Sequence, residues 1–159
     1  MSNSVRQDIL TKFGTCIPFI TATNKYVNTV ISDKVYKGYK SVQGANDFPV
    51  LFYGLGSEKL QDESEDGNIL IQRVEAYIGV YFSSNSLTDD YEKWIRDLKK
   101  FVFQDKTITT GKTLLLDAVT GVKSWGIKSV DPYIDYDKNI GSLFMILEID
   151  YIENVRAGL

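Results

Sequence analysis

Residues 69–82 alternate with period two. Leu70, Val74, Ala76, Ile78, Val80 and Phe82 fall on one side of an extended chain. The other side is not simply polar: it carries Ile69, Ile71, Tyr77 and Tyr81 beside Arg73 and Glu75. Residues 142–153 repeat the design, with Leu143, Met145, Leu147, Ile149 and Tyr151 on one side and Phe144, Ile146 and Ile152 on the other. Two strands that are apolar on both faces constrain the fold more than any other feature, because a sheet built on them must be covered twice.

The remaining segments supply one cover. Residues 4–13 read as a helix, with Val5, Ile9 and Phe13 at four-residue spacing, Ser2 or Ser4 as cap and Gly14 as stop. Pro18 and the polar TATN follow as a loop. Residues 26–42, rich in Val, Tyr and Thr with turn residues Asp33 and Gly38, read as one long or broken strand. GAND (44–47) reads as a turn. Residues 50–60 form a strand opened by Pro49, and this strand pairs with 69–82 as a hairpin. SLTDDYEKWIRDLKKFVF is an amphipathic helix with the stripe Tyr91, Trp94, Ile95, Leu98, Phe101 and Val102. Ser86 or Thr88 caps it, with Asp89 and Asp90 at its positive end and Lys99 and Lys100 at its negative end. A short helical piece is expected at 113–119, a strand at 121–130 and a turn or loop at 131–141. The order is α-β-β-β-α-β-β: an α+β domain with an antiparallel or mixed sheet of about four to five strands and helices on one face. The 159 residues read as one domain, without repeat or linker.

Little in the chain points to catalysis. There is no histidine, the commonest general base and transition-metal ligand. Cys16, the single cysteine, reads as a small buried hydrophobe. GKT at 111–113 resembles the end of a phosphate-binding loop, but the first glycine of that motif falls on Lys106. GLGSEK (54–59) lacks the third glycine of a dinucleotide fingerprint. No two carboxylates are marked as partners, so no enzyme activity and no cofactor are expected. The net charge of −3 argues against a general nucleic-acid binder. No apolar run is long enough to span a bilayer, and the first residues lack the apolar region of a signal peptide, so a reducing cytoplasm is the expected place of synthesis.

The hairpin tip is unusual. LQDESEDGN joins two of the most apolar segments of the chain with Asp62, Glu63, Glu65 and Asp66. Asp62, Ser64, Asp66 and Gly67 match positions one, three, five and six of a calcium-binding EF-hand loop, and Ile69 matches position eight. Position twelve is Arg73 rather than glutamate, and the flanks are strands, so a solvated hairpin tip is the expected state and no metal is assigned.

With two helices on one face, the second face of the sheet needs another cover. A neighbouring subunit is the economical answer, placing Ile71, Tyr77, Phe144 and Ile146 at an interface. The alternative is that the N-terminal region folds across them. The N-terminal helix VRQDILTKF, the strand FPVLFYGLG, the charged hairpin near 50–82, the strand RVEAYIGVYF, the helix YEKWIRDLKKFVF and the closing WGIKSVDPYIDYDKNIGSLFMILEIDY follow one another in an order that resembles the tail terminator proteins of long-tailed bacteriophages. The resemblance covers nearly the whole chain.

The resemblance implies a structural virion protein assembled in the bacterial cytoplasm: a homo-oligomeric ring, usually a hexamer, that caps the tail tube, halts its polymerisation and joins tail to head. Its partners would be the tail tube protein on one side and the head connector on the other, with DNA passing through the lumen without specific binding. Asp62, Glu63, Glu65 and Asp66 would keep the hairpin soluble before assembly and repel like tips. Two competing readings stay open. One is another neck ring, such as an adaptor or stopper, or the cap of a phage-like contractile particle. The other is a small cytoplasmic α+β enzyme or ligand-binding domain.

Overall fold

The computed structural model describes residues 4–39, 48–103, 116, 119–135 and 139–155. The elements run α1 (Val5–Cys16), β1 (Val35–Lys37), β2 (Val50–Glu63), β3 (Ile69–Ser83), α2 (Leu87–Phe103), β4 (Val122–Asp135) and β5 (Ile140–Asn154). This is the α+β order expected from the sequence. The turn expected at 44–47 and most of the helical piece expected at 113–119 lie outside the described residues. Leu116 and Val119 of that piece are buried in the core.

The five strands form one mixed sheet in the order β1-β2-β3-β5-β4, with β1 parallel to β2 and every other pair antiparallel. The two strands that are apolar on both faces, β3 and β5, lie side by side at its centre and pair without interruption from Ile69↔Asn154 to Ser83↔Ile140. Their Val74, Ala76, Ile78, Val80, Leu143, Met145, Leu147 and Ile149 meet Ile9 and Phe13 of α1 and Trp94, Leu98, Phe101 and Val102 of α2 in one core. Both helices therefore cover the same face. Among the described residues no helix is long and apolar enough to cross a membrane.

Several boundaries differ from expectation, each for a packing reason. Ser4 caps α1 through a reciprocal box with Gln7, but Gly14 does not end the helix. A Cβ at Gly14 would run into the Tyr53 hydroxyl, so the glycine leaves room for a ring and the helix continues to the buried Cys16. Of the long or broken strand expected at 26–42, the described residues 26–39 hold one short strand, and 40–42 lie outside the described residues. The chain makes 3-10 turns at Ala22–Asn24 and Ser32–Lys34, and among the described residues of this segment Val35–Lys37 alone joins the sheet.

Helix α2 holds this segment away from the sheet. The Asp97 carboxylate, 1% exposed, accepts hydrogen bonds from Val27 N (3.0 Å), Asn28 N (2.7 Å) and Asn28 Nδ2 (2.8 Å). Lys100 Nζ donates to the Lys25 carbonyl at 2.7 Å and sits 4.2 Å from the centre of the Tyr26 ring.

Finally, much of the loop expected at 131–141 is strand: β4 runs on to Asp135 and β5 begins at Ile140, with 136–138 outside the described residues. Pro132 is tolerated because β4 is an edge strand, where a missing N–H breaks no ladder on the outer side.

Candidate functional site

Strands β2 and β3 carry the acidic tip. From Gly56 to Glu63 every residue of β2 is exposed, and beyond Glu58, which pairs with Arg6 of α1 at 3.1 Å, the hairpin extends past the helix layer. The turn itself is closed by its own side chains. Ser64 N donates to the Ile69 carbonyl and Ile69 N to Ser64 Oγ (2.9 and 3.1 Å), and Gly67 takes the positive φ of 66° that the turn requires. Asp66 is not a free charge: Ser64 Oγ, Asn68 N and Asn68 Nδ2 all donate to its carboxylate, which holds it below the ordinary aspartate value. The Asp62 carboxylate accepts Glu63 N–H, and the Glu63 and Glu65 carboxylates have no partner among the described residues. Leu60 and Ile69, 54% and 44% exposed, flank these charges.

The second face of the sheet has two unlike halves. Toward the end away from the tip lies an aromatic band. Tyr77 and Phe144 stack with centroids 5.4 Å apart and planes 17° from parallel, and Ile146 sits opposite Tyr77 on β5. Three of the four apolar residues expected at an interface are thus brought together, each half-buried. Ile71 is not part of this group. It pairs with Ile152 nearer the tip.

Between them runs a row of ion pairs. Arg73 grips Asp150 with two bonds, Nε–Oδ1 at 2.7 Å and Nη2–Oδ2 at 3.0 Å, and approaches Glu148 at 3.7 Å. Lys128 of β4 pairs with Glu75 and lies 3.9 Å from Glu148. Hydrogen bonding from Arg73 holds Asp150 below its ordinary value, and that from Lys128 does the same for Glu75.

The sequence reading missed the residue at the heart of the aromatic band. Phe52 is only 2% exposed although it points away from the helices. Tyr39, Tyr77, Tyr81 and Phe144 surround it at centroid distances of 5.4, 6.2, 5.5 and 5.8 Å. Two glycines make the arrangement possible. A Cβ on Gly79 would collide with the Phe52 ring, and one on Gly54 with the Tyr77 ring, so each ring lies across a glycine of the other strand. The signal was present in FPVLFYGLG, where Phe52 and Gly54 alternate with Leu51, Tyr53 and Leu55. Tyr39 and Tyr133, 70% and 69% exposed, stand at opposite margins of the band. Burial, with help from the Tyr39 hydroxyl 3.3 Å away, pushes Tyr81 up to about 12.

Among the described residues, the N-terminal region does not cover this face. Ile17, Ile20, Tyr26 and Val30 belong to the core on the helix side, and β1 with Tyr39 after it adjoins the second face. Among the described residues no group of three or more His, Cys, Asp or Glu is placed to hold a metal ion.

No family model matches the chain, and no curated protein matches it. Among solved structures, a chain of the virion of a native gene transfer agent particle is similar, with 10% identity and a TM-score of 0.48 over 87% of this chain and 96% of that one.

Proposed function

We propose that this chain is a structural subunit of a phage-like virion, of the tail terminator type, that works as a closed homo-oligomeric ring. The observation that carries the reading is the half-exposed band of Tyr77, Phe144 and Ile146 on the sheet face opposite both helices. An aromatic centre bordered by paired charges has the composition of a subunit interface, apolar within and polar at the rim. The order of elements, which resembles that of tail terminators, supports the same assignment.

In this reading the next subunit covers the aromatic band, one side of the ring meets the tail tube protein and the other the head connector. DNA crosses the lumen without being bound. No step requires catalysis, a metal or a cofactor.

Electron microscopy of lysates from a phage carrying only a charge-reversed tip (Asp62, Glu63 and Glu65 to Lys, leaving the turn-closing Asp66) tests the reading. A terminator gives tails of irregular, excessive length, few of them joined to heads. Tails of normal length that fail to join would reassign the chain to a neck adaptor or stopper. Normal, properly joined tails would remove the hairpin from assembly.

A further inference from the structure

We infer that the acidic hairpin tip of one copy docks into a basic, apolar-floored groove beside α2 of the next copy. This rests on the ring reading above and names two surfaces that meet in the ring. The groove is a cavity of about 610 Å³ on the outer side of α2. Val27, Ile95 and Phe103 give it an apolar floor, and Lys25, Arg96 and Lys99 stand around it. None of these three cations has an ion-pair partner among the described residues, whereas Lys100 is held by backbone carbonyls. Of the two carboxylates at the groove, Asp97 is committed to Val27 and Asn28, and Glu92 stands among Lys25, Arg96, Lys99 and Lys100, so the lining keeps a positive excess.

The tip matches this groove in both respects. It offers Glu63 and Glu65 without partners, and Leu60 and Ile69 as exposed apolar side chains beside them. No cation lies between Leu60 and Gln72 to neutralise it. A nucleic-acid backbone would satisfy the cations but leave the apolar floor uncovered, so an acidic segment with apolar flanks is the better occupant. Tip and groove are different patches, and no hydrogen bond or ion pair joins them within the chain among the described residues. A contact between two different patches can run head-to-tail, and in the ring reading it passes from each copy to the next.

Two double variants test the contact: Arg96→Glu with Lys99→Glu in the groove, and Glu63→Lys with Glu65→Lys at the tip. Sedimentation over a range of protein concentration should show association weakened about tenfold or more by either pair alone. Association should return when both pairs are combined in one chain, and the defect of each should shrink as salt rises. Unchanged association in both variants, with the wild type still oligomeric, would overturn the docking and leave the ring standing. A wild type that stays monomeric at every concentration would overturn the ring reading itself. Lower thermal stability of the groove variant with association intact would place those cations in the chain's own fold and overturn the docking as well.

Discussion

The Phe52 ring lies across Gly79 of the neighbouring strand, and the space it fills exists only because that residue has no side chain. Tyr77 stands in the same relation to Gly54. The two rings interlock on the second face, which gives that face a fixed aromatic surface although no helix among the described residues lies over it.

Gly79→Ala should therefore force the Phe52 ring from its seat and destabilise the protein by about 1–3 kcal/mol, the usual range for overpacking. Gly126→Ala is the control. It lies in β4 with open space around the added methyl, and it should be neutral or slightly stabilising. Urea unfolding of the two variants separates a local collision from a general intolerance of alanine in the sheet.

Asp97→Ala should cost about 1–3 kcal/mol, because it leaves the partly buried donors of Val27 and Asn28 without their acceptor. The loss should appear first in hydrogen exchange of residues 26–30, which α2 would no longer restrain. Asp97→Asn, which keeps one acceptor oxygen, should fall between the variant and the wild type.

Ile146→Glu places a charge in the middle of the aromatic band. The isolated subunit should unfold within about 1 kcal/mol of wild type, since the site is only half-buried. Self-association measured by sedimentation should be lost. Retained association would move the interface to another surface.

Acid should weaken the ion-pair row on the second face. The folded-state value of Asp150 lies below its ordinary 3.8, chiefly because Arg73 donates to it. Its contribution to stability is therefore complete above the unfolded value and is lost as pH falls through the folded one. Thermal unfolding should show a decline below pH 3.8 that is shallower in Asp150→Asn, a variant already less stable at neutral pH. Equal slopes would assign the acid sensitivity to other carboxylates, such as Glu75 and Asp66, which are also held low.

The parts of the fold that could be read in advance are those where one residue's surroundings repeat along the chain. Strand β3 announces itself through Val74, Ala76, Ile78 and Val80, and α2 through Trp94, Leu98 and Phe101, because periodic burial leaves a periodic pattern. What escaped depends on partners distant in sequence. Residues 26–42 have strand-like composition, yet Asp97 and Lys100 capture Tyr26, Val27 and Asn28 some seventy positions away. Gly14 reads as a helix stop until Tyr53 is seen against it. At the candidate site, Tyr77, Phe144 and Ile146 were legible from alternation alone. The side that Phe52 faces follows from the same alternation in FPVLFYGLG, but its burial there does not, because four rings on different strands and a loop supply it.

The placement of β5 between β3 and β4 bears on how the chain is made. In order of synthesis, the hairpin of β2 and β3 emerges before the strand that completes its other side, Ile140–Asn154, with α2 and β4 made in between. Until then the inner edge of β3 has no ladder partner, and Ile71, Tyr77 and Tyr81 adjoin an open row of backbone donors and acceptors. A nascent chain in this state can pair wrongly with another, and the hazard lasts as long as translation of the helix and β4 takes. The carboxylates at the tip of that same hairpin would repel the corresponding tips of neighbouring nascent chains during this interval.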